Sequence, residues 1–150
     1  MAKFQVGTGI DQYMAELRNL EQDAPEAIGK AIYQGAKIIT DEIKGNIQQL
    51  STRSASDVER AGLLDGLGIS KMEDDSGYWN VKVGFDGYNA QVTKKYPKGH
   101  PNSMIARSIE SGTSFRPKNS FVSAAVRNKK GQAEEEMAKI IDDYIKNSMK

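Results

Sequence analysis

The sequence predicts an α+β domain: long N-terminal helices, a small antiparallel sheet of about three strands, and a long C-terminal helix packed on it. Three observations predict this. Apolar residues recur every three or four positions between residues 23 and 50, and again beyond Pro117. Between those stretches, Trp79-Asn80-Val81-Lys82-Val83-Gly84-Phe85 alternates with a period of two, as a half-buried strand does. The length, 150 residues, suits a single domain with one core.

Taken in order, residues 10–22 read as a short amphipathic helix on Ile10, Met14, Leu17 and Leu20. Asp23, with Glu26 three residues on, has the form of a capping box, and Pro25 sits in the first turn where its missing N–H does no harm. Ile28, Ala31, Ile32, Gly35, Ile39, Ile43 and Ile47 then draw one apolar stripe, with Lys30, Lys37, Asp41 and Lys44 off it. Gly35 within that stripe suggests a close neighbouring backbone. Residues 51–62, Ser-Thr-Arg-Ser-Ala-Ser-Asp-Val-Glu-Arg-Ala-Gly, are small, polar and charged. They read as a mobile loop, either a linker or an arm that orders on a partner.

The period then changes. Residues 63–72 read as a glycine-containing strand, Asp74-Asp75-Ser76-Gly77 as a turn, and Trp79–Phe85 as the second arm of a hairpin. Tyr88-Asn89-Ala90-Gln91-Val92-Thr93-Lys94 adds a third strand, followed by a loop bounded by Pro97 and Pro101. Residues 103–111 fit a helix or a strand equally. The second long helical pattern starts near Phe121, with Asn119 or Ser120 as its cap, and Gly131 divides it.

Composition bounds the function. With 27% charged and 38% hydrophobic residues the chain should fold as a globular protein. No apolar run approaches the roughly 20 residues of a membrane span, and the N-terminus lacks a secretory h-region. The absence of cysteine rules out disulfides and thiolate metal sites and fits a reducing cytoplasm. The net charge of +1 hides an asymmetry: residues 91–130 hold nine Lys or Arg against one acid, Glu110, a net of +8, leaving −7 elsewhere. Such a block suits a solvated face, an acidic protein surface or nucleic acid.

Catalytic signals are weak. His100 is the only histidine and lies in a Gly-His-Pro loop without a nucleophile elbow. Asp74-Asp75 and Asp142-Asp143 are adjacent pairs rather than spaced metal ligands. No phosphate-binding glycine loop of the Walker or dinucleotide kind is present. The reading is a non-enzyme with no cofactor and no metal.

One stretch stands out: Ile105-Ala106-Arg107, then Glu110-Ser111-Gly112-Thr113, a basic loop with Arg116-Pro117-Lys118, and Phe121-Val122 with Ala124-Ala125. Gly112 allows a backbone turn closed to other residues, Thr113 can bond neighbouring backbone, and Pro117 stiffens the exit. Arg107 and Glu110, three apart, could pair on a helix or across a subunit boundary. With the Gly-Leu-x-x-Gly-Leu segment and the Trp-x-Val-x-Val-Gly strand upstream, this pattern resembles the siphophage family of tail-component proteins, the tail-completion or head–tail joining proteins of tailed phages. Ser120 stands where the pattern has Pro, and Ser111 where an aromatic is common.

The resemblance implies a virion structural protein of the head–tail junction or upper tail. It would act as a subunit of a homo-oligomeric, hexameric ring among other neck or tail proteins, first in the host cytoplasm and then in the particle. Arg107, Glu110, Gly112, Thr113, Arg116, Pro117, Lys118 and Phe121 are then the candidate interface residues. Lys94, Lys95 and Lys98 are candidates for facing DNA or a partner, through weak, sequence-independent phosphate contacts. The alternative is a small nucleic-acid-binding domain using the basic 91–130 segment.

Overall fold

The structure is a computed structural model in which residues 2–5, 24–75 and 78–148 are described. Its elements are β1 (Ala2–Gln5), α1 (Ala24–Gln48), α2 (Asp57–Gly66), β2 (Leu67–Ile69), β3 (Glu73–Asp75), β4 (Tyr78–Phe85), α3 (Asn102–Ser111) and α4 (Phe121–Ser148). The fold is α+β. The helix expected over residues 10–22 and the capping residue Asp23 lie outside the described residues.

The stripe of α1 accounts for the core. Ile28, Ala31, Ile32, Gly35, Ile39, Ile43 and Ile47 are all buried, and Lys30, Lys37, Asp41 and Lys44 are all exposed. The long α4 lies antiparallel along it. The start of α4 meets the end of α1, where Asn46 Nδ2 donates to the Phe121 carbonyl at 2.9 Å. Midway, Gly35 lets α4 approach: a Cβ there would stand 2.7 Å from Met137 Sδ. The close neighbour of Gly35 is therefore a side chain, not the backbone expected. Gly131 does not divide α4, which runs unbroken from Phe121 to Ser148.

The sheet has four strands in three rows. β4 is central, with β1 on one side and both β2 and β3, end to end, on the other, all antiparallel. Ser70 bridges the gap between β2 and β3: its N–H donates to the Lys82 carbonyl, and its Oγ accepts from the Lys82 N–H at 2.8 Å. Val81, Val83 and Phe85 of β4 face the core as the alternation predicts. Phe121, at the head of α4, reaches the sheet through Phe85, ring centroids 6.0 Å apart.

Three expectations are corrected. Residues 51–62 are not a loop throughout, because α2 begins at Asp57. Ser56 and Glu59 form a capping box: Ser56 Oγ accepts from Glu59 N–H, and Glu59 Oε1 accepts from Ser56 N–H at 3.0 Å. Helix consequently occupies the first part of the strand expected over 63–72, leaving only Leu67–Ile69 extended. Residues 88–94 form no strand; Tyr88 makes one isolated bridge to Pro101. Asn89 folds this segment into a loop instead, its Oδ1 accepting from the N–H groups of Gln91 and His100. Residues 102–111, left open by the sequence, are the helix α3.

The glycines of α2 serve packing. Asn102, 2% exposed, donates its Nδ2 to the Asp86 carbonyl at 2.9 Å and lies against Gly62 and Gly66. A Cβ on Gly66 would stand 2.2 Å from the Asp86 carbonyl oxygen, whereas one on Gly45 or Gly131 would meet nothing within 4 Å. Gly45→Ala and Gly131→Ala should therefore each stabilise the fold by roughly 0.5–1 kcal/mol, the ordinary helix preference of Ala over Gly. Gly66→Ala should destabilise it despite the same preference. Urea unfolding midpoints of the three variants check the sign at each position.

Candidate functional site

The stretch singled out in the sequence forms the corner between α3 and α4. At the end of α3, Gly112 has φ +76°, a left-handed conformation that favours glycine. A Cβ there would press on the Lys118 backbone at 3.0 Å. Thr113 N–H donates to the Arg116 carbonyl at 2.9 Å, and Thr113 Oγ1 accepts from Phe115 N–H at 3.2 Å. Asn119 N–H then donates back to the Ile109 carbonyl at 2.8 Å. The corner is closed on itself at both ends.

Two carboxylates, one from α2 and one from α3, lock it. Arg116 folds inward and makes a two-pronged ion pair with Glu59 of α2, Nη2 to Oε2 at 2.7 Å and Nη1 to Oε1 at 3.1 Å. Nη1 also donates to the Ser54 carbonyl at 2.6 Å. The two side chains are only 20% and 10% exposed, so water screens the pair weakly. At the other end, Glu110 of α3 caps α4: its carboxylate accepts from the N–H groups of Val122 and Ser123, at 3.0 and 3.1 Å, and from the Ser123 hydroxyl. A carboxylate at a helix N-terminus also suits the helix dipole. The capping role expected of Asn119 or Ser120 is thus filled from a different helix, and Glu110 does not pair with Arg107.

The candidate residues therefore separate into two groups. Arg116, Glu110, Gly112 and Phe121 act inside the chain, Phe121 as core. Thr113, though exposed, is also part of the corner's own bonding. Arg107, Pro117, Lys118, Lys94, Lys95 and Lys98 are exposed. The three lysines ride on the 88–100 loop whose neck Asn89 closes, with Lys95 Nζ 5.6 Å from the Tyr96 ring centroid. Two residues escape sequence reasoning. Glu59 falls in the segment that reads as a loop, although Ser-x-x-Glu at 56–59 spells its capping box. Phe115, at the apex of the corner, is 99% exposed, and nothing in its sequence context marks it.

Beside the ion pair runs a cleft of about 530 Å³, with Arg53, Glu59, His100, Met104, Thr113 and Arg116 among its walls. His100 packs on Tyr96, ring centroids 4.5 Å apart. Among the described residues no cluster of His, Asp or Glu could hold a metal ion, and no helix is long and apolar enough to cross a membrane. Comparison with protein families, with curated proteins and with solved structures found no match to this chain.

Glu59 titrates below the ordinary glutamate range. Burial alone would raise its pKa, but the hydrogen bonds from Arg116 and from the Ser56 N–H, with the Arg116 charge, outweigh it. The pair's contribution is therefore complete at neutral pH, above the unfolded-state value, and is lost as pH falls through the depressed folded-state value. Glu59→Gln keeps the shape and an oxygen for the cap but removes the charge, leaving Arg116 uncompensated. It should lower the unfolding free energy at pH 7 by about 3 kcal/mol and remove that part of the acid dependence. Urea unfolding at neutral and acid pH measures both; a loss below about 1 kcal/mol, the range of exposed pairs, contradicts the buried role.

Proposed function

We propose that this chain is a non-enzymatic virion structural protein of a tailed phage, a ring subunit at the head–tail junction or in the upper tail. The motif resemblance over residues 105–126 supplies the phage context. The observation that carries the assembly reading is Phe115. A corner braced by Glu59, Glu110 and Gly112 holds an aromatic ring in water, 99% exposed. Burying such a side chain is worth about 1.5–3 kcal/mol, and the corner collects none of it within the chain. Because the backbone is already fixed, a partner that covers the ring has little ordering entropy to overcome. The partners on this reading are copies of the chain, six in the particle, and neighbouring neck or tail proteins. The chain assembles in the host cytoplasm and resides in the virion.

Light scattering over a range of protein concentrations tests this reading. The expected result is a discrete oligomer near six subunits. A monomer at every concentration, alone and with purified neck and tail components, contradicts it.

A second reading rests on Lys94, Lys95 and Lys98, all exposed on one loop. They suit non-specific phosphate contact, as a DNA-facing surface of the ring or as a free DNA-binding module. Replacing all three by Glu should lower duplex affinity and reduce the slope of log K against log salt by about 0.9 for each phosphate no longer neutralised. An unchanged slope in filter-binding titrations removes these lysines from any DNA-facing role.

A further inference from the structure

The assembly reading leaves open what covers Phe115, and the surface of α2 offers an answer. Phe115 stands at the rim of the 530 Å³ cleft of its own chain, and at 99% exposed it is not covered there. A groove of about 650 Å³ runs between α2 and the start of the 88–100 loop. Its apolar walls are Val58, Ala61, Tyr88 and Ala90, and its charged residues are Asp57 and Asp65, with no base among them. Val58 and Tyr88 are 42% and 56% exposed, so this groove too leaves apolar surface in water. Asp57 is paired with Arg60 at 2.9 Å. Asp65 forms no ion pair among the described residues, and neither does Lys118, which follows Phe115 by three positions.

The groove and the residue that anchors the Phe115 corner lie on different faces of the same helix. Val58, Ala61, Gly62 and Asp65 are spaced i, i+3, i+4 and i+7 and line the groove. Glu59, which anchors the corner, lies about 100° round the helix. Helix α2, with the corner that Glu59 ties to it, thus carries a projecting aromatic on one side and an apolar, acid-bearing groove on another. Each feature has the shape and charge the other lacks. Contacts of this head-to-tail kind use two different patches on each subunit and close into rings when the rotation between neighbours closes.

We infer that Phe115 of one copy inserts between Val58 and Tyr88 of the next copy, with Lys118 set against Asp65. The inference rests on the assembly reading and names the contact that would build it.

The chain has no cysteine, so engineered thiols report only on themselves. Ser114→Cys places a thiol beside the aromatic, and Ala61→Cys places one in the groove. Both positions are exposed, and neither substitution touches Phe115, Val58 or Tyr88. The two variants are mixed and treated with a short bismaleimide linker. Linking between the two variants should exceed linking within either alone by at least about tenfold, the factor of 1.4 kcal/mol in contact preference. Adding Phe115→Ala to the Ser114→Cys variant should abolish it, and Phe115→Leu should restore most of it. Discrete rings by light scattering without mixed linking, or linking indifferent to Phe115→Ala, overturn the contact and leave the ring standing. Mixed linking in assemblies that stop at two copies supports the contact and overturns the ring. A monomer with no linking, alone and with purified neck and tail components, overturns both.

Discussion

The ion pair between Glu59 and Arg116 is the constraint on which the rest of the corner depends. It joins residues 57 apart in sequence, across the start of one helix and the connection between two others. Glu59 serves two ends at once. Its Oε1 caps α2 through the Ser56 N–H, and both its oxygens hold Arg116. The Ser54 carbonyl takes a further hydrogen bond from the same guanidinium. A buried pair of this kind contributes little against an apolar substitute, but losing either partner alone strands a charge. Its value is in specifying one geometry. Glu110 repeats the device at the start of α4, so the corner is pinned at both ends by carboxylates from separate helices.

This arrangement reassigns the basic segment. Of the nine positive side chains between residues 91 and 130, Arg116 is neutralised inside the molecule and Lys129 faces Glu42 at 3.9 Å. Lys94, Lys95, Lys98, Arg107, Lys118, Arg127 and Lys130 remain on the surface. The charge block is therefore part scaffold and part contact surface. Charge reversal at Arg116 would report on folding, whereas reversal at Lys118 reports on what the corner touches.

The sequence made the core legible where one period ran long enough. The α1 stripe is buried at every position named, and Val81, Val83 and Phe85 face the core, although Asn80 and Gly84 on the alternate face are buried as well. Legibility failed where tertiary partners overrode local character. Residues 57–62 look like a loop because they are small and charged, and 63–66 like the start of a strand, yet Ser56 and Glu59 cap a helix there and Gly62 and Gly66 admit Asn89, Asn102 and Asp86. Residues 88–94 alternate like a strand, yet Asn89 turns them into a loop and leaves Val92 exposed. At the site, Gly112 and Pro117 announced a corner. The roles of Arg116 and Glu110 were not readable, because their partners lie far along the chain or on another helix. An isolated aromatic such as Phe115 reads the same in a sequence whether it will be buried or bare.

The central claim is that this corner is one rigid piece before any partner arrives. Native-state hydrogen exchange at the Thr113, Arg116 and Asn119 amides tests it most directly. The account predicts that they are protected together with the amides of α3, and that Glu59→Gln lowers their protection in concert. Exchange as fast as that of Lys94, at the exposed tip of the neighbouring loop, would contradict it and leave Phe115 on a loop with no fixed direction.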